Sequence, residues 1–272
     1  MNTLFEDADR NAPITDIEFI ARSVHRLDTL RALAERPHSR LELRVVTGAS
    51  PPTVCRLLRD FEARQWTIKN GHRYELTQLG AFVTAGFIDL LDRMETGRTL
   101  RDVMRWLPVE KMDIDLRCFA DATVTLGTQS DPLAPMKRAG ELFRSAARSR
   151  VLTHSLPEPC FVPYWEAVTN GVQRYELVIT AGAIEAVAVP SRRPQFEAIL
   201  DADRTRVFVY DGEIPQIIGI NDGIVFFGID DERGAPVALI ESENETVVLW
   251  AEETFESYRE RAEPLDSVPI PA

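Results

Sequence analysis

Lysine is almost missing from this chain: Lys69, Lys111 and Lys137 are the only lysines among 31 basic residues, and the rest are arginine. Cysteine is equally scarce. Cys55, Cys118 and Cys160 lie far apart without CxxC spacing, which excludes a zinc ribbon and a disulfide framework and fits a reducing compartment. No apolar run approaches the roughly 18 residues of a membrane span, and no signal peptide opens the chain, so a soluble, cytoplasmic protein without a membrane partner is expected. Catalytic signatures are wanting too: there is no GxxxxGK, GxGxxG, HExxH or GxSxG. His154-Ser155 has no indicated acid partner, and Leu156 stands where an HxK pattern needs lysine. His25 reads as a helix-surface residue, with nothing near it at metal-ligand spacing. The expectation is therefore not an enzyme, with no catalytic residue, no metal and no cofactor.

Acid is what the chain has in excess. The formal charge is −12 over 272 residues, and the sequence pI is about 4.9. Its distribution is uneven: Thr15 to Gly80 holds 11 Lys+Arg against 8 Asp+Glu, and the remainder holds 20 against 35. Acid-rich, lysine-poor composition resembles that of proteins from halophilic archaea; GC-rich codon usage is the alternative source of the arginine bias. In molar salt the Debye length is about 3 Å, so attraction to DNA would rest on close contacts.

That less acidic stretch contains the most informative pattern. Ser39 with Glu42 is a capping box opening a short helix that Gly48 ends. Ser50 caps a second helix with Pro51 at its first position. Val54, Leu57, Leu58 and Phe61 share one side of it, which puts Pro52, Arg56 and Arg59 on the other. Trp66 to Lys69 and Arg73 to Leu76 are β-prone runs around Asn70-Gly71, a hairpin signal, and Thr77 caps a further helix. Helix, turn, Pro-started helix, hairpin and helix, in that order, read as a winged helix-turn-helix. Its candidate DNA-binding residues are Ser50, Pro52, Thr53, Arg56 and Arg59 on the second helix and Lys69, Asn70, His72 and Arg73 on the wing, with double-stranded DNA as the partner.

The rest organises around this reader. Residues 1–14 read as a flexible tail. A helix from Thr15 to about Arg36 packs under the reader, completing a DNA-binding domain over 15–80. Residues 81–107 read as a helical connector: an amphipathic helix to Glu95, an interruption at Gly97, and a second piece from Thr99 to Leu107. Its apolar content suits either homodimer contact or domain packing. After Pro108 the pattern alternates: strands at 122–127, 150–154, 174–179 and 205–210, with helices at 135–149, 164–170 and 194–200 among them. A meander of 216–220, 224–229, 236–241 and a short run ending at Trp250 follows, then a helix over 252–262. This makes 108–263 a mixed α/β sheet domain for sensing or oligomerisation, and 264–272 an unstructured tail. The fold class is α+β. Loop groups after its strands, His154, Ser155, Tyr164, Trp165, Arg192 and Arg193, are candidates for binding a small-molecule effector, an anion near the arginines included.

The winged domain, the segment LPVEKMDIDLRCFADATVTLGTQSDP, and the run INDGIVFFGIDDERGAPVALIESENETVVLWAEETFESYR together resemble archaeal winged helix-turn-helix regulators carrying a FilR-type methanogenesis-regulator domain. The resemblance spans Thr15 to Glu263. It implies transcription regulation, with the C-terminal module as a sensing or oligomerising unit. A winged-helix protein-interaction module without direct DNA reading is the alternative.

Overall fold

The computed structural model of the chain describes residues 3–169 and 173–265. They fall into two compact units, Met1–Asp92 and Arg93–Ala272.

The first unit holds helices α1 (Thr3–Ala21) and α2 (Val24–Glu35), strand β1 (His38–Ser39), helices α3 (Arg40–Thr47) and α4 (Pro51–Ala63), strands β2 (Thr67–Asn70) and β3 (Arg73–Leu76), and the start of helix α5 (Gln78–Thr99). The capping box forms as the spacing requires: Glu42 N donates to Ser39 Oγ at 3.3 Å and Ser39 N to Glu42 Oε2 at 2.7 Å. That backbone bond, followed by Arg36, holds the Glu42 carboxyl down at about 2. Its contribution to the cap is thus present above the ordinary glutamate range and fades as pH falls toward 2. Gly48 ends α3 in the left-handed region at φ +64°, where a side chain would be strained. Val54, Leu57, Leu58 and Phe61 are all buried, and Phe61 and Trp66 pack with Ile20, Leu30 and Phe87.

Three expectations change here. The first 14 residues are not a tail, because α1 runs from Thr3 through Pro13. Helix Thr15 to Arg36 is two helices: Ser23 is extended (φ −150°, ψ 118°), and its carbonyl accepts from Arg26 N at 2.9 Å to start α2. The turn lets Ile20 and Leu30 enter the same core, and Thr15, inside α1, donates its Oγ1 hydroxyl back to Asn11 O. The hairpin loop is Gly71-His72, with Asn70 paired to Arg73, and the wing gains β1, whose His38 and Ser39 pair with Tyr74 and Arg73. Gly71 at φ +60° supplies the positive φ that the two-residue loop needs at its first position.

The second unit contains β4 (Thr123–Leu126), α6 (Ala134–Ser145), β5 (Arg148–Thr153), α7 (Glu158–Thr169), β6 (Arg174–Thr180), α8 (Ala181–Val187), α9 (Arg193–Leu200), β7 (Thr205–Tyr210), β8 (Ile217–Asn221), β9 (Ile224–Asp230), β10 (Pro236–Ser242), α10 (Glu245–Arg259) and β11 (Glu263–Pro264). They build one eight-stranded sheet in the order β11-β7-β6-β5-β8-β9-β10-β4. β5, β6 and β7 are parallel, joined by helical crossovers, and the other pairings are antiparallel. Odd residues of the parallel strands (Val151, Leu177, Val207) pack under α6 to α9, and even ones (Leu152, Val178, Phe208) share the other core with α10.

Gly97 does not interrupt α5, which continues to Thr99. The piece from Thr99 to Leu107 is a turn with a 3-10 segment at Met104–Trp106, because Leu100, Val103 and Leu107 must all reach the second unit's core. The run ending at Trp250 is no strand. Asn244 caps α10 at Thr246 N, and Val247, Ala251 and Phe255, spaced by four, form its buried stripe. Glu263 and Pro264 pair with β7 and Leu265 is buried, so the expected tail begins inside the fold; 266–272 lie outside the described residues. The expected helix end at 170 also lies outside them.

Candidate nucleic-acid interface

On α4, Ser50 Oγ accepts from Thr53 N at 3.4 Å and lies 2.8 Å from Thr53 Oγ1, so both hydroxyls are engaged in the cap. Pro52, Arg56 and Arg59 are exposed, opposite the buried stripe. Among the described residues, neither Arg56 nor Arg59 forms an ion pair or hydrogen bond. An exposed α4 face with two arginines outside any ion pair is a surface that can accept phosphate or a guanine edge.

The wing adds Lys69, Asn70 and His72, all exposed at its tip. Arg73 is different. Its Nη1 donates to Pro37 O at 2.9 Å and its Nη2 lies 3.8 Å from Glu42 Oε1, so it ties the wing to the start of α3. Arg40 makes a parallel tie, with Nη2 donating to the Tyr74 hydroxyl at 2.6 Å. Sequence reasoning passed over Arg44, exposed on α3; counting charge by helix face would have found it.

The six effector candidates do not share one site. His154 Nε2 lies 3.1 Å from Asp230 Oδ2, across 76 residues of sequence. The pair lines a cavity of about 540 Å³ with Gln216, Thr180, Glu213 and Trp106. His154 Nδ1, Asp230 Oδ1 and Gln216 Nε2 are buried there without a hydrogen-bond partner. Ser155 lines a neighbouring, mostly apolar cavity with Cys160 and Phe226. Neither cavity is lined by Tyr164, Trp165, Arg192 or Arg193. Tyr164 is core, packed on Tyr175 at 4.1 Å between ring centroids; Trp165 is packed against the same core; Arg192 Nη2 donates to Glu158 Oε2 at 3.3 Å; and Arg193 Nε lies 4.0 Å from Glu197 Oε1. Burial holds the two aromatic candidates in the core, and the two arginines face the carboxylates of Glu158 and Glu197.

Burial pushes the Cys160 thiol up to about 12, with Asp230 adding to the effect. It stays protonated throughout the neutral range, and the stability this contributes is lost only as pH rises from the ordinary thiol range toward 12. Iodoacetamide at pH 8 is expected to leave Cys160 unmodified in the native protein and to alkylate it in denaturant, as peptide mass mapping would show.

Among the described residues no helix is long and apolar enough to cross a membrane, and no group of His, Cys, Asp and Glu could hold a metal ion. Residues 14–99 match the HVO_A0261 N-terminal domain, and residues 132–261 match the middle domain of the methanogenesis regulatory protein FilR1. No curated protein matches the chain significantly. Among solved structures, the archaeal chromatin protein TrmBL2 aligns over 91% of this chain and 97% of its own at 14% identity, with a TM-score of 0.41. NucT from Helicobacter pylori aligns over 53% of this chain and 98% of its own at 12% identity and a TM-score of 0.42. The phospholipase D family member Nuc from Salmonella typhimurium gives 53%, 97%, 12% and 0.42. Together the two matches cover most of the chain and put an HVO_A0261 N-terminal domain ahead of a middle domain like that of the methanogenesis regulatory protein FilR1.

Proposed function

We propose that this chain is a cytoplasmic, DNA-binding transcription regulator, not an enzyme, in which α4 enters the major groove and the β2–β3 wing touches backbone or minor groove. Pro52, Thr53, Arg56 and Arg59 face the groove, Arg56 toward guanine; Ser50 supports them through its cap, and Lys69, Asn70, His72 and Arg73 serve the wing. The observation that carries this reading is the exposed arginine face of α4 beside a basic wing, in a chain whose net charge is −12. Acidic, arginine-biased composition supports a halophilic setting, where such close contacts outlast screening.

The test is binding of purified protein to labelled DNA from its own upstream region and to unrelated DNA, over a salt series. Sequence preference with a negative salt slope is expected. Affinity for neither DNA at any salt would favour a protein-interaction module instead.

Two further parts belong to this reading. The polar cavity at His154 and Asp230 is the effector site, supported by its three buried groups without partners. The outer stripe of α5 is the homodimer contact, supported by Leu79 at 47% and Phe82 at 80% exposure. Phe82→Glu is expected to convert dimer to monomer in light scattering; an unchanged mass would move the contact elsewhere.

A further inference from the structure

The three parallel strands begin with one repeated pattern, Arg148-Ser-Arg150-Val-Leu152, Arg174-Tyr-Glu176-Leu-Val178 and Arg204-Thr-Arg206-Val-Phe208. Their register stacks it in rows. Leu152, Val178 and Phe208 form the row that packs with α10. One step toward the strand starts, Arg150, Glu176 and Arg206 alternate in sign; Arg150 Nε lies 3.1 Å from Glu176 and its Nη2 3.2 Å from Glu256. The next row is different. Arg148 is in register with Arg174 on paired strands about 4.8 Å apart, and Tyr175 N donates to Arg204 O, which places a third arginine beside them just before β7.

Like charges directly opposite on paired strands destabilise a sheet. Within this row Arg148 and Arg174, the directly paired neighbours, make no ion pair among the described residues. Together with Ser149, Tyr175, Glu176, Asp203 and Arg204 they line a concavity of about 470 Å³, within the size range of small-ligand sites. This is the opposite end of the strands from His154, so it is not the cavity assigned above.

We propose that this row is a binding site for a small multivalent oxyanion of the pyrophosphate class, free or carried on a metabolite. Adjacent guanidinium forks match the oxygens of neighbouring phosphoryl groups, and the bound anion relieves the repulsion within the row. A long phosphodiester fits poorly. Asp203 and Glu176 share the concavity, and outside Thr15–Gly80 the chain carries 35 acidic against 20 basic residues.

The experiment is titration calorimetry of the full chain with pyrophosphate, against sodium chloride at equal ionic strength, with ADP as a second ligand and labelled duplex DNA in parallel. Saturable pyrophosphate binding is expected in the native chain. Arg174→Gln should weaken it about tenfold or more, and Arg148→Gln with Arg174→Gln should remove it. Arg174→Lys should fall between, and Arg101→Gln, at an exposed arginine elsewhere, should bind as the native chain does. Tighter ADP binding lost in the same variants would identify a nucleotide-borne source; equal binding would identify the free anion. Circular dichroism establishes that each variant is folded. No saturable heat beyond chloride, unchanged affinity in the double variant, or loss confined to duplex DNA would each overturn the proposal, the last by making the row a DNA contact.

Discussion

Gly80→Ala is expected to lower the melting temperature of the N-terminal unit by roughly 10 °C, although alanine favours helix over glycine by about 1 kcal/mol. The reason is where a Cβ would land: 1.8 Å from Trp66 O and 2.7 Å from Trp66 C, both backbone atoms that no rotamer change can move. That carbonyl already accepts from Thr77 N at 3.0 Å, while Thr77 Oγ1 donates to Gln65 O at 2.6 Å and accepts from Gly80 N at 2.9 Å. Relief would require shifting Trp66, which is buried against Phe61 and Phe19, and with it the entry to the wing. Overpacking of this kind costs about 1–3 kcal/mol, and more where the backbone must give, so it outweighs the propensity gain. The same helix supplies its own control. A Cβ added at Gly86 or Gly97 would meet nothing within 4 Å, so alanine there should be neutral or stabilising by up to about 1 kcal/mol. Trp66 is the one tryptophan of residues 1–92, so its fluorescence reports this unit's melting. Equal melting of the Gly80 and Gly86 variants would mean that the helix does not pack on Trp66 as described.

The contrast within α5 also shows which features were legible in the sequence. Local signals were. Ser50 with Pro51, the Ser39/Glu42 box and Thr77 each cap the helix they precede, because caps depend on three or four consecutive residues. The buried stripe of α4 needed only its spacing, and the strands of the parallel core announced themselves by their β-branched runs. Features that depend on distant partners did not. Strand β1 is two residues long and exists because Tyr74 and Arg73 lie beside it. Val247-Val-Leu-Trp250 looks like a strand to a propensity argument, yet the spacing Val247, Ala251, Phe255 buries one helical stripe against the sheet. Propensity lost there to tertiary packing. At the site level, Arg56 and Arg59 were readable because exposure follows from the helix face. The pairing of His154 with Asp230 joins the ends of β5 and β9, and only the strand order brings them together.

Arg56→Ala is expected to cost about 1–3 kcal/mol in binding to the preferred operator, a loss of roughly 5- to 150-fold, while leaving binding to unrelated DNA much less affected. Alanine is the best helix former, and Arg56 makes no hydrogen bond or ion pair among the described residues, so α4 itself should be unharmed and the loss can be read as lost DNA contact. Lys69→Ala on the wing should behave differently: a phosphate contact weakens binding about equally on every sequence and reduces the salt slope by about one. Comparing the two variants on two sequences over a salt series separates base reading from backbone anchoring. A uniform loss for Arg56→Ala would reassign it to phosphate. If Arg56→Ala and Arg59→Ala both bound operator as the native chain does, α4 would not be the element in the groove. High salt sharpens the comparison, because with a screening length of about 3 Å the steering field of the whole molecule is removed and only contacts at the arginine heads remain.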